Sequence, residues 1–224
     1  MKITILRIIL TIFIILSIFL LNAWLPFSTF FGDVLYRGDS ESNKIALTFD
    51  DGPGEQTKEI LNILKENNVT ATFFVIGNNI NLRQGIIEEI NNDNHEIGVH
   101  TMTHPFLLKN NKYELTENKL QIENLTNKTV KYFRPPYGFR TLTTMSVAKK
   151  LDLTTVLWNV FPRDYSSTSD QIIKRVLRNT KSGSIICLHD GPVNRNETVK
   201  ALPVIISELR NKDFEFVSLD ELNK

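Results

Sequence analysis

The chain has 224 residues, 42% of them apolar, and a formal net charge of +1. That length fits one catalytic domain behind a short leader, and the apolar content is enough for a full core. Near-neutral charge gives no case for nucleic acid as a partner. The single cysteine, Cys187, excludes an intramolecular disulfide.

The N-terminus, Met1-Lys2-Ile3-Thr4-Ile5-Leu6-Arg7, sets a basic flank before an apolar stretch from Ile8 to Leu21, extended by Ala23, Trp24 and Leu25. This order reads as an export signal. Ile8 to Leu25 is about 18 residues, just long enough to cross a bilayer. No small-x-small cleavage site is present, because bulky Leu21 stands two residues before Ala23. Trp24 suits a membrane interface. An uncleaved anchor and a cleaved signal peptide both fit, with the anchor favoured by the missing cleavage site and by Trp24. Both place the rest of the chain outside the cytoplasm, since Lys2 and Arg7 stay inside. The expected organisation is an anchor or signal over 1–27, a connector over 28–43 and a catalytic domain over 44–224.

Beyond the leader, strand-like and helical patterns alternate. Strand-like runs fall at Lys44–Phe49, Ala71–Ile76, Glu96–His100, Tyr132–Phe133, Thr154–Val160, Ser184–His189 and Phe214–Leu219. Helical patterns fall at Glu55–Asn67, Arg83–Asn92, Lys112–Leu125, Leu142–Leu151, Ser169–Asn179 and Glu197–Asn211. Such alternation predicts an α/β fold with a parallel sheet and outer helices. About seven strands point to a distorted or incomplete (β/α) barrel.

The chemistry-bearing residues sit just past the strand ends, where such folds keep their sites. Thr48-Phe49-Asp50-Asp51-Gly52-Pro53 brings two carboxylates to a Gly-Pro turn. Like charges so close need a metal or a cation to offset them, although Asp-Asp-Gly-Pro is also ordinary turn chemistry. His100-Thr101-Met102-Thr103-His104-Pro105 holds two of the four histidines. On a single turn, or in a loop stopped by Pro105, both rings can reach one ion. Two histidines and a carboxylate are a common catalytic metal set. Arg134-Pro135-Pro136-Tyr137-Gly138, Trp158-Asn159-Val160-Phe161-Pro162-Arg163-Asp164-Tyr165 and Cys187-Leu188-His189-Asp190-Gly191 complete the constellation.

These five motifs, in this order, resemble the NodB-homology polysaccharide deacetylases, carbohydrate esterase family 4. The resemblance covers roughly Lys44 to Leu222. It implies Asp50 as general base, Asp51, His100 and His104 as metal ligands, and Arg134 as the partner that holds Asp50. It also implies the Tyr137 backbone N–H in the oxyanion hole, His189 as general acid and Asp164 as the carboxylate that tunes it. The fourth motif departs from the family pattern: Phe161 replaces a carboxylate and Tyr165 a tryptophan, which bears on substrate contacts. Tyr165 and Cys187 are expected at the substrate pocket.

The resulting expectation is an extracytoplasmic, metal-dependent N-deacetylase of a cell-wall or chitin-like glycan, peptidoglycan first. The cation is expected to be Zn2+, with Co2+ or Ni2+ as substitutes, and the protein a monomer held at the membrane. O-deacetylation of a xylan-type polymer is the second enzyme reading. A glycan-binding relative without turnover is the non-enzyme reading. Of the remaining polar residues, His95 reads as a surface or loop histidine. Asp190 reads as a turn residue or a support behind the ligands. Cys187, two residues before His189, shares its sheet face and reads as an interior residue beside the acid.

Overall fold

A computed structural model describes residues 2–106 and 110–224. At its centre is β1 (Lys44–Gly52), followed in chain order by β2 (Thr72–Val75), β3 (Glu96–Val99), β4 (Tyr132–Phe133), β5 (Thr154–Thr155), β6 (Ile185–His189) and β7 (Glu215–Phe216). All pairings are parallel. The sheet order is β5-β4-β3-β2-β1-β6, with β7 against the start of β1. The sheet does not close: β5 and β6 are its ends, and a single bridge between Val160 and Ile186 spans the gap. The molecule is therefore the distorted, incomplete barrel that the alternation predicts.

The helices are α1 (Lys2–Trp24), α2 (Thr57–Glu66), α3 (Gly77–Leu82), α4 (Gln84–Asn92), α5 (Asn111–Thr126), α6 (Leu142–Lys150), α7 (Ser169–Asn179), α8 (Asn196–Arg210) and α9 (Leu219–Leu222). Along β1, alternate residues serve two layers. Leu47 and Phe49 join Phe73, Val75 and Leu188 in the core under the helices. Ala46 joins Phe74, Tyr132 and Ile185 in a second cluster. Thr48 and Asp50 share the face of Ala46 and are buried with it. Each buried Phe of the outer layer contributes ~1.5–3 kcal/mol, and that layer fixes where the polar inner face points.

Several elements differ from the sequence expectation. The run Thr154–Val160 is a strand only at Thr154–Thr155. The carbonyls of Val156 and Leu157 accept from the Arg134 guanidinium, so they serve a side chain and not a ladder. The run Phe214–Leu219 is a strand only at Glu215–Phe216. There the chain turns into α9, whose first N–H groups donate to the Glu96 carboxylate. Helix α3 is additional. Its opening N–H groups on Gly77 and Asn78 donate to the carbonyls of Thr101 and Met102, which satisfies donors that a helix start leaves free.

Helix α1 is apolar over Thr4–Trp24, with a mean hydropathy of 2.7, and is exposed along its length except at its C-terminal end, where Ala23 is buried. By length and composition it is able to cross a membrane. The following segment lies against the barrel, with Leu35 bridged to Val156 and Arg37 to Ser184.

Candidate active site

A regular strand would send Asp50 and Asp51 to opposite faces. The pairing of β1 with β2 slips between Asp50 and Gly52, and Asp51 takes φ 71°. This bulge turns both carboxylates toward the mouth of the barrel. A Cβ on Gly52 would collide with the Asp190 carboxylate, so only glycine lets the two loops pack. Thr101, His104 and Tyr137 also carry positive φ values of 69°, 53° and 58°. Four such non-glycine residues around one opening mark a strained site that its surroundings hold in place.

Asp51, His100 and His104 offer ligand atoms that all lie within 4.8 Å of one another. Asp51 Oδ1 is 3.3 Å from His100 Nε2 and 3.1 Å from His104 Nε2. That oxygen is buried and has no hydrogen-bond partner of the ordinary kind. Nδ1 of His100 lies 2.7 Å from the Arg134 carbonyl. A carbonyl only accepts, so Nδ1 carries the proton and Nε2 keeps its lone pair for a ligand bond. Burial alone would raise the Asp51 carboxyl, but the close approach of the His100 and His104 imidazoles holds it well below the usual carboxylate range. The donor set fits one divalent cation of borderline character. The motif is a loop and not a helical turn; Glu114 shapes it by accepting from the Met102 and Thr103 N–H groups and the Thr103 hydroxyl.

Asp50 is held from two sides. Arg134 Nη1 lies 2.6 Å from Oδ1 and 2.8 Å from the Thr48 hydroxyl. The guanidinium sits 4.1 Å above the Phe74 ring and is fully buried. The Cys187 thiol approaches Oδ2 at 3.4 Å. Burial first, and then the Asp50 charge, push that thiol well above its ordinary pKa, so Cys187 stays protonated as a donor.

Across the mouth, Asp164 fixes His189. Its Oδ1 lies 2.7 Å from His189 Nδ1, while Oδ2 accepts from the His189 backbone N–H and the Thr198 hydroxyl. Burial would lower the His189 pKa, but the Asp164 contact outweighs it and the net shift is upward. Asp164 moves oppositely: burial would raise it, and His189 brings it down. Tyr165 and Phe161 flank the imidazole, with ring centres 5.8 and 6.1 Å away. Tyr137 packs its ring on His104 at 4.8 Å and is half exposed. These contacts, with the pairing of Asp50 and His189 on neighbouring strands, bring the ten residues singled out in the sequence together at one end of the sheet.

Two other contributors, Asn118 and Arg195, had no sequence signal because they come from distant segments. Asn118 accepts from the His100 N–H at 3.0 Å, and Arg195 brings Nη2 to 4.0 Å from Asp51 Oδ2. Asp190 is fully buried behind Gly52, accepts from Thr57, and is pushed up to about 7, chiefly by burial. His95 lies in the loop before β3, but it is not a surface residue: it is buried against Phe73, with Nδ1 accepting from the Ala71 N–H. Burial lowers its pKa to about 4.

Comparison with known proteins decides the family. Residues 37–156 match the polysaccharide deacetylase family model. The chain belongs to the polysaccharide deacetylase family. It is an enzyme of that family, a polysaccharide deacetylase. It is 35% identical over 198 residues to a peptidoglycan-N-acetylglucosamine deacetylase of Bacillus cereus, covering 85% of this chain and 93% of that one. It is 32% identical to a chitooligosaccharide deacetylase of a Bradyrhizobium species, covering 86% and 94%. Among solved structures, a peptidoglycan N-acetylglucosamine deacetylase superposes with a TM-score of 0.84 at 33% identity, covering 89% and 97%.

Proposed function

We propose that this deacetylase removes acetyl groups from the N-acetylglucosamine of peptidoglycan, outside the cytoplasm, with Asp51, His100 and His104 holding one Zn2+. The observation that carries the reading is the convergence of three ligand atoms within 4.8 Å, with the His100 tautomer already set for ligation. Relatives named as peptidoglycan-N-acetylglucosamine deacetylases support the substrate. When bound, the cation supplies Lewis-acid polarisation of the amide carbonyl and lowers the pKa of the attacking water.

The protein's own groups do the rest. Asp50, oriented by Arg134 and Cys187, takes a proton from the attacking water. The water oxygen bonds to the acetyl carbon, and the backbone N–H of Tyr137 donates to the carbonyl oxygen as it gains charge. The carbon–nitrogen bond then breaks. His189, kept protonated by Asp164, gives its proton to the departing nitrogen through Nε2. The products are acetate and a free glucosamine amine. Tyr165, Phe161 and Tyr137 offer ring faces and edges to the sugar. The chain acts as a monomer, with residues 1–27 as a membrane anchor and 44–224 as the catalytic part.

Acetate release from peptidoglycan, chitooligosaccharide and acetylxylan by the purified zinc-loaded chain tests the reading. Release from the first two with free amine formation is the expected result. Release from acetylxylan alone would replace it with the O-esterase reading.

A further inference from the structure

The end of α1 is built into the catalytic part. Ala23 is fully buried against Phe31 and Met145. Arg140, also fully buried, donates through Nη1 to the Ser28 carbonyl at 2.7 Å, and through Nη2 to the carbonyls of Asn22 and Leu25. Its backbone N–H donates to the Ala23 carbonyl at 3.2 Å. No basic residue occupies the last turn of α1 itself. Arg140 supplies the cation that this negative end of the helix dipole favours. Cleavage within 22–28 would remove the acceptors of a buried guanidinium, a costly loss.

The docking point lies beside the active site. The Trp24 ring packs on Phe139 at 5.3 Å and on Phe106 at 6.3 Å. Phe106 packs on Tyr137 at 5.5 Å, and Tyr137 on the candidate ligand His104. Trp24, Phe27, Phe30 and Phe106 are all exposed. Aromatic rings continuous with a membrane-length apolar helix belong at the interface of a bilayer.

We propose that α1 is a retained anchor docked rigidly by Arg140, so that the Trp24–Phe106 surface rests on the lipid bilayer and the site opens next to it. The inference rests on reading α1 as a membrane segment. It narrows the substrate to glycan lying close to the bilayer surface.

The test uses the full chain in vesicles of phosphatidylethanolamine and phosphatidylglycerol. Single cysteines replacing Ile14, Phe106 and exposed Glu208 carry a nitroxide, while buried Cys187 stays unlabelled. The readout is accessibility to oxygen against a water-soluble nickel chelate. Oxygen should dominate at Ile14 and Phe106, and the nickel chelate at Glu208. Arg140→Met should drop the Phe106 value to that of Glu208. If Arg140→Met does not fold, Ala23→Leu, which overfills the buried seat, should produce the same loss. A water-exposed Phe106 label with Ile14 still in the bilayer would overturn the docking and leave the anchor. A water-exposed Ile14 label would overturn both. A Phe106 value unmoved by both variants would overturn the Arg140 clamp.

Discussion

Arg134 reaches across the barrel interior to Asp50, with Nη1 at 2.6 Å from Oδ1 and both side chains enclosed. The same guanidinium donates to Thr48, Val156 and Leu157. Breaking a buried pair by removing one partner strands the other charge and costs ~3–5 kcal/mol. Arg134→Met should lower the unfolding free energy by that amount, read as a lower urea midpoint with an unchanged slope. Arg134→Met combined with Asp50→Leu should recover part of the loss, because no charge is then stranded. A single-variant loss below ~1 kcal/mol would mean that water or a rotamer change already relieves Asp50.

His104→Ala should strip metal and activity together. His104 Nε2 is one of the three converging ligand atoms. Metal content by plasma emission and acetate release should fall in parallel. A variant that keeps a full equivalent of metal would remove His104 from the ligand set.

Asp50→Asn should separate binding from chemistry. Asp50 points to Arg134 and Cys187 rather than to the two histidines. Metal content should hold while the rate falls ~10²–10⁴-fold, as for a lost general base. Loss of metal instead would mean that the two aspartates have been assigned each other's roles.

The pH profile should be bell-shaped, with an alkaline limb set by His189. Its pKa is raised in the fold, mainly through Asp164 working against burial. Asp164→Asn removes that charge and leaves the burial, so the limb should move to lower pH with metal content unchanged. Stability follows the same pair. The raised His189 contributes fully below its unfolded value and loses that contribution as pH rises through the folded one. The lowered Asp164 contributes above its unfolded value and loses that contribution as pH falls through the folded one. The gap in denaturation midpoint between wild type and variant should be widest between 3.8 and 6.5. An alkaline limb that does not move would leave Asp164 as a loop carboxylate with no hold on the acid.

Much of this site was legible because barrel chemistry collects at strand ends, and strand ends carry their polar residues in sequence. Asp50, Asp51 and His189 each close an apolar run, which marked them as strand-end residues, and the family resemblance supplied their expected roles. The bulge at Asp51 was not legible, since nothing in Asp-Asp-Gly-Pro states that the pairing will slip. Nor was the early end of β5, after which the Val156 and Leu157 carbonyls are diverted to an arginine about twenty residues upstream. His95 was expected at the surface or in a loop; it does lie in a loop, but its burial was not legible because it depends on Phe73 of the neighbouring strand. Asn118 and Arg195 come from other segments entirely, and only the fold brings them near the ligands. Arg140 carried no sequence signal, because only the fold brings the carbonyls of 22–28 around it.

The central claim is that one cation at Asp51, His100 and His104 supports deacetylation. Its most direct measurement is a zinc titration of the chelator-treated full chain, following bound metal and acetate release from peptidoglycan in the same samples. Both should rise together and level off at one equivalent per chain. Full activity in the metal-free chain, or activity that appears only after a second equivalent binds, would contradict the account.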